Sequence, residues 1–238
     1  AGTSRAYQMQ YPALTPPTRT PALSPERDPM PQPAPTPRTR ARRLHEKAAY
    51  DRPTIDAILD AMPVAHVGHV VDGFPVVTPT LQWREGDRIY WHGSSASRMQ
   101  KRAAGEQVCV TVTLTDGMVL ARSGLEHSVQ YRSVMVFGRA EVVEGAAAKE
   151  AHLKTMMDQL FPGRWDQLRP ITAQELKATR ILSLPLTEAS AKVSSGPPLD
   201  PPEDAVWPVW AGVIPIRLTV GPPDPAPDLA PGIAVPDH

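Results

Sequence analysis

Short runs of apolar and β-branched residues, several of them alternating with polar residues, fill the middle of the chain. Such runs predict strands, because successive side chains of a strand point to opposite faces of a sheet. Asp72-Gly73 separates two of these runs, 64–71 and 74–83, and an Asp-Gly pair is a strong signal for a hairpin turn. The remaining predicted strands cover 88–92, 108–114, 129–143, 181–187 and 189–193, with 119–122 as an extension beyond a break at Asp116-Gly117.

Four other stretches are predicted to be helices, two of them from apolar residues at helical spacing. Pro53 stands near the start of the first, where its fixed φ suits the opening turn of a helix. The longest, 146–160, is rich in alanine, has an apolar face that includes Leu153 and Met156, and ends before Pro162-Gly163. The predicted helices cover about 53–62, 99–104, 146–160 and 173–178.

Consecutive strands joined by tight turns, with few helices between them, favour a mainly β protein with an antiparallel barrel or sandwich. A doubly wound parallel sheet would need a helix between most pairs of strands. The sequence also lacks a glycine-rich dinucleotide fingerprint and a P-loop. We therefore expect a mainly β fold with peripheral helices.

Proline divides the chain into three parts. Ten of the 29 prolines fall in residues 1–40 and twelve in 197–238. Segments of this composition bury too little apolar surface to offset chain entropy, so we expect extended or disordered arms at 1–41 and 197–238. One compact domain is predicted over 42–196. Met30 is a candidate native start, in which case residues 1–29 would lie upstream of the natural chain.

Charge and cysteine content narrow the class further. The chain has 25 basic and 25 acidic residues, so no overall field would recruit nucleic acid or an acidic membrane surface. No apolar run reaches the ~18 residues of a membrane span, and no signal-peptide pattern is present. The single cysteine, Cys109, lies in a predicted strand as a small buried hydrophobe. We expect a cytoplasmic protein.

The segment from Tyr90 to Arg102 carries the clearest candidate chemistry. The predicted strand 88–92 comes first, Gly93 then allows a tight turn, and small serines that could cap a helix follow. Free backbone N–H groups at a helix start attract anions, and nearby basic side chains strengthen the attraction. The segment therefore reads as a phosphate site, or else as a plain strand-to-helix turn with a solvated basic face. The basic residues are Arg98, Lys101 and Arg102, and the candidate caps are Ser94, Ser95 and Ser97.

Four separated motifs resemble the pyridoxamine 5′-phosphate oxidase-like flavoproteins, and within them the nitroimidazole-resistance branch. The motifs are Phe74-Pro75-Val76-Val77-Thr78-Pro79, Ile89-Tyr90-Trp91-His92-Gly93-Ser94 with Arg98, the run from Ser128 to Gly138, and Phe161-Pro162-Gly163-Arg164-Trp165. The resemblance implies a six-stranded antiparallel split β-barrel that forms a homodimer and binds FMN at the subunit interface. One departure concerns Ser97-Arg98-Met99, where the family often has Gly-Arg-Lys, so one phosphate-pairing lysine is displaced or absent.

The resemblance also implies roles for individual residues. Val77, Thr78 and Pro79 would lie beside the isoalloxazine, His92, Gly93 and Ser94 would line the cofactor, and Arg98, with Lys101 or Arg102, would meet its phosphate. Ser128, Gln130, Tyr131, Arg132 and Ser133 would approach the flavin or the phosphate from a neighbouring strand. His92 is the candidate catalytic residue.

Two of these residues have alternative interpretations. A buried, unpaired guanidinium is costly, so Arg132 either meets an anion or pairs with a carboxylate such as Glu126 or Glu141. His92 could contact the flavin, bind haem iron as an axial ligand, or simply pack at the end of its strand. His66 and His69 are three residues apart in a strand and project to opposite faces, which makes them poor joint metal ligands.

Three classes of function remain open from the sequence. The first is an FMN-dependent oxidoreductase that uses NAD(P)H to reduce nitroaromatic or other small oxidised substrates. The second is a haem-binding or haem-degrading split barrel with His92 as ligand, and the third is a non-catalytic flavin-binding dimer. The tail adds Trp207 and Trp210, which we expect to dock over the barrel, the partner subunit or the cofactor pocket, or only to cover an apolar patch.

Overall fold

The computed structural model describes residues 35–235, so most of the predicted N-terminal arm, including Met30, lies outside the described residues. The strands are β1 (Ala48–Ala49), β2 (Val64–Val71), β3 (Phe74–Glu85), β4 (Arg88–Ser94), β5 (Gln107–Leu120), β6 (Ser128–Arg139), β7 (Glu141–Val142), β8 (Thr179–Pro185), β9 (Ala189–Ser194) and β10 (Gly212–Pro215). The α-helices are α1 (Arg52–Ala61), α2 (Arg98–Ala103), α3 (Ala146–Leu160) and α4 (Ala173–Ala178). The mainly β prediction is confirmed.

All strand pairings are antiparallel, and the sheet runs in the order β1-β9-β6-β5-β2-β3-β4-β8-β7, with β10 added to β5. The twelve-residue β3 joins the two halves, because its first part pairs with β2 and its last four residues pair with β4. This arrangement is a split barrel. The predicted hairpin is confirmed at Asp72-Gly73, where both residues have positive φ as a type I′ turn requires.

The predicted break at Asp116-Gly117 is wrong. Residues 107–120 form one continuous strand, and the irregularity is a shift in register between Thr115 and Gly117 opposite β6. Asp116 is therefore the extra residue of a β-bulge rather than part of a turn. A bulge keeps the strand paired on both sides while it redirects the side chain of the inserted residue.

The barrel interior holds the main apolar core. Its largest enclosed side chain is Trp91 of β4, and Val67, Val110 and Val134 come from three further strands. Helix α1 closes one end, with Asp51 as its N-cap accepting a hydrogen bond from the backbone N–H of Thr54 at 2.9 Å. The apolar side chains of α1, Ile55, Ile58 and Leu59, complete this core.

A second, smaller core lies between the opposite face of β3, β4 and β8 and the helices α3 and α4. It contains Trp83, Tyr90, Leu153, Leu176 and Ile181, all of them buried. Thr172 and Glu175 form a capping box at the start of α4, and the predicted bounds of α3 and α4 are confirmed. The outer layer therefore depends on two short amphipathic helices.

The C-terminal tail attaches to the barrel through β10, which pairs with residues 117–120 of β5. Trp207 and Trp210, just before β10, keep 62% and 64% of their surface exposed. Their docking on a partner subunit stays a prediction. Across the described residues, no helix has the length and apolar character needed to cross a membrane.

Candidate functional site

The candidate site is centred on His92, near the end of β4. Alternation along the strand sends Ile89 and Trp91 into the barrel core and turns Tyr90 and His92 to the opposite face. The His92 ring lies 6.0 Å from the Trp83 ring, centroid to centroid. β4 thus places His92 in the outer layer, while its neighbour Trp91 packs in the barrel core.

A cavity of about 480 Å³ opens beside His92 between β4, α3 and α4. This volume lies within the ~300–1,000 Å³ typical of small-molecule sites. Its lining is mainly apolar, and polar groups come from only a few side chains. The lining residues are His92, Leu153, Leu168, Arg169, Ile171, Glu175, Leu176 and Thr179.

The His92 imidazole is held in its neutral form. Burial lowers the pKa of His92 below its ordinary value of 6.5, because desolvation penalises the charged ring. Its Nδ1 atom is enclosed and has no hydrogen-bond partner within residues 35–235. A neutral imidazole that borders an apolar cavity is the form that binds a metal centre or a flat cofactor.

Aromatic side chains and one carboxylate pack around Trp83, the ring nearest His92. Trp83 stacks on Tyr90 with ring centroids 5.7 Å apart, and Tyr90 packs on His152 at 4.5 Å. Glu85 accepts hydrogen bonds from Nε1 of Trp83 at 2.7 Å and from Nδ1 of His152 at 2.9 Å. Ring contacts and hydrogen bonds therefore connect the side chains that pack around Trp83, the residue next to His92.

The lowered pKa of His92 predicts a pH dependence of stability in the cofactor-free protein. Below pH 6.5 the unfolded chain takes up a proton at His92 that the folded state resists, so stability falls as pH falls. We expect the free energy of unfolding to drop more between pH 7.5 and 5.5 in the native protein than in His92→Gln. The difference in slope is at most about 1.4 kcal/mol per pH unit. Urea titrations at the two pH values measure it, and equal drops in both proteins would contradict it.

The predicted phosphate segment forms a turn and a helix, and the helix begins and ends one residue earlier than predicted. Helix α2 spans 98–103, and its N-cap Ser97 makes no side-chain capping hydrogen bond. Gly93 is needed for close packing, because a Cβ there would lie 2.9 Å from Nε2 of the buried Gln100. Ser94 is exposed, as are Arg98, Lys101 and Arg102, and Arg102 pairs with Asp72 at 3.4 Å.

The predicted flavin residues on β3 and β6 divide between two faces. Val77 and Pro79 lie on the same face of β3 as Trp83, whereas Thr78 points to the other side. On β6, Tyr131 and Ser133 lie on the face opposite the buried Val134 and Val136. Ser128, Gln130 and Arg132 share the face of Val134, and Gln130 donates a hydrogen bond to the carbonyl of Gly196 at 2.8 Å.

Arg132 has a protein partner. Its guanidinium donates two hydrogen bonds to the Asp116 carboxylate, at 2.8 Å from Nε and 2.7 Å from Nη2. This pair raises the pKa of Arg132. The expected partners, Glu126 and Glu141, are wrong, because the β-bulge in β5 brings Asp116 to Arg132. Of the two predicted alternatives for Arg132, the structure therefore shows the pair with a carboxylate.

Sequence reasoning missed the walls of the cavity. Leu153 and Leu176 follow the helical pattern of α3 and α4, so each reads as an ordinary core residue until the two helices are seen around His92. Arg169 lies in a connection that carries no motif of its own. In the described part of the chain, no group of three or more His, Cys, Asp or Glu side chains could hold a metal ion.

The fold and cavity together define a split-barrel protein with a cofactor-sized site in its outer layer. The family model described as pyridoxamine 5′-phosphate oxidase matches residues 51–193, and the chain belongs to this family. No curated protein matches the chain.

Two solved structures are similar over most of their length. The flavocytochrome Anf3 from Azotobacter vinelandii is 51% identical, with a TM-score of 0.83, and the match covers 86% of this chain and 95% of Anf3. The FAD and haem binding protein from Mycobacterium smegmatis is 40% identical, with a TM-score of 0.77, and the match covers 80% and 94%. A structure from Bacteroides thetaiotaomicron named for 5-nitroimidazole antibiotic resistance is 22% identical, with a TM-score of 0.51 and coverage of 61% and 86%. At that identity the likeness shows the fold alone.

Proposed function

We propose that this protein binds a flavin and a haem, and that His92 would bind the haem iron. The observation that carries the proposal is a neutral histidine on an apolar, cofactor-sized cavity in this chain. Two relatives that match the chain at 51% and 40% identity, a flavocytochrome and an FAD and haem binding protein, support the pair of cofactors. Bound haem would supply one-electron chemistry at its iron.

The residues that line the cavity suit a haem chemically. Leu153, Leu168, Ile171 and Leu176 offer the apolar walls that a porphyrin face needs. His92 supplies the ligand nitrogen, and its burial keeps the ring free of a proton that would compete with iron. The neighbouring side chain, Trp91, is locked in the core, so β4 holds the histidine in place.

For the flavin we propose the exposed face of the sheet at β3, where the family resemblance places Val77 and Pro79. These residues share a face with Trp83, which packs against His92, so the two cofactors would lie along one continuous surface. Arg98, with Lys101 or Arg102, remains the candidate phosphate contact on α2. FMN is the flavin that the family resemblance implies, whereas the relative that is 40% identical favours FAD.

A homodimer is part of the proposal, because the sheet face around Val77 is apolar and exposed in the single chain. Val77 keeps 65% of its surface exposed, Val70 62% and Met135 41%. Apolar surface of this kind marks an interface.

Reduction of nitroaromatic or other small oxidised substrates with NAD(P)H, in the cytoplasm, remains our hypothesis for the activity.

The absorption spectrum of the freshly purified protein tests the cofactors directly. We expect flavin bands together with a sharp Soret band, and release of the flavin by heat followed by chromatography distinguishes FMN from FAD. Flavin bands without a Soret band, after expression with ample haem supply, would contradict the haem half of the proposal. Haem without flavin would contradict the proposal that the protein binds a flavin.

A further inference from the structure

Arg169 stands at the open side of the cavity, in the connection between α3 and α4. Its side chain is 69% exposed, yet it contributes to the lining. The other lining side chains with charge or hydrogen-bonding groups are His92, Glu175 and Thr179. A guanidinium at the rim of an otherwise apolar pocket can receive the anionic edge of a ligand whose body is apolar.

The orientation of this guanidinium is fixed by groups on the protein. Nη1 donates to Glu175 Oε2 and to the carbonyl of Pro170, both at 3.0 Å, and Nη2 donates to Glu175 Oε1. An arginine has five N–H groups, so these three bonds leave Nε–H and one N–H of Nη2 without a partner among the described residues. These two donors form the side edge of the fork, which matches a carboxylate.

Glu175 is itself held by the residue that caps α4. It accepts hydrogen bonds from both the backbone N–H and the hydroxyl of Thr172, each at 2.9 Å. Hydrogen bonds from Arg169 and Thr172 lower the pKa of Glu175 to about 2.

We propose that Arg169 is a specificity residue that binds a carboxylate of the ligand in the His92 cavity through its free Nε–Nη2 edge. This inference rests on the proposed function, in which the carboxylate is a haem propionate. Glu175 acts as the positioning residue, because it holds the Nη1–Nη2 side of the guanidinium and leaves the Nε–Nη2 edge free. The cavity would therefore select a tetrapyrrole that carries carboxylates over one of the same shape without them.

The test compares haem with its dimethyl ester, which has the same ring and iron but no propionate charge. Each is titrated into the cofactor-free full chain, and binding is followed at the Soret band. We expect the native protein to bind haem about tenfold more tightly than the ester. In Arg169→Gln the two should bind equally. Arg164→Gln is the matched control, because Arg164 lies in the same connection but outside the lining.

The possible outcomes separate the two proposals. Equal binding of haem and ester by the native protein overturns the role of Arg169 and leaves the haem proposal standing. The same tenfold preference in Arg169→Gln also overturns it. Failure of the native protein to bind either compound overturns the haem proposal, and the role of Arg169 with it. Circular dichroism of Arg169→Gln checks that α4 is retained, since the Thr172–Glu175 capping box does not need Arg169.

Discussion

Replacement of His92 by alanine is expected to remove the Soret band while the flavin bands remain. The imidazole would be the protein's bond to the iron, and hydrophobic contact with the cavity walls alone gives weak, poorly oriented binding. Loss even of residues that only support a metal ligand lowers metal affinity about 10–100-fold, so loss of the ligand itself should exceed about 100-fold. Titration of the cofactor-free variant with haem measures the change.

Three further measurements make this prediction specific to ligation. Millimolar imidazole should restore a Soret band in His92→Ala, because the small ligand fits the space left by the ring. His45→Ala removes an exposed histidine, whose side chain is 83% accessible, and should bind haem as the native protein does. His152→Ala tests the neighbouring histidine, whose Nδ1 is held by Glu85. Retention of full haem affinity in His92→Ala would rule out His92 as the ligand.

The predicted and observed structures agree best where a pattern is local. Helix α3 begins and ends where the alanine-rich amphipathic pattern does, and the Asp72-Gly73 hairpin needs only two residues to specify it. The break at Asp116-Gly117 was wrong because the same dipeptide also suits a β-bulge. The two are distinguished by the pairing of β5 with β6, where Asp116 meets Arg132, and no local pattern contains that pairing.

Local sequence patterns also predict only part of the candidate site. The position of His92 in a family motif identifies it from the sequence, whereas its lowered pKa depends on burial that arises only in the folded chain. The cavity brings His92 next to residues 61 to 87 positions further along the chain, from Leu153 to Thr179. Their types, mostly leucine and isoleucine, are those of any core. A pocket made of ordinary apolar residues has no sequence signature apart from the fold that assembles it.

The largest effect on stability is expected from Trp91, the neighbour of His92 on β4. Trp91 is fully enclosed in the barrel core. Its replacement by alanine removes many close contacts and leaves a cavity, which costs about 3–5 kcal/mol in comparable cores. Urea-induced unfolding of the cofactor-free protein measures the loss. Trp207→Ala deletes the same side chain from a site that is 62% exposed and should change stability by less than about 0.5 kcal/mol.

Trp91→Phe separates the packing of the ring from its polar atom. The indole Nε1 of Trp91 is buried without a hydrogen-bond partner in the part of the chain that the structure describes. Phenylalanine removes this unsatisfied donor and retains much of the ring, so the gain in desolvation offsets part of the lost packing. We therefore expect Trp91→Phe to cost less than half as much as Trp91→Ala. Equal losses would mean that Nε1 has a partner in solution, such as a buried water molecule.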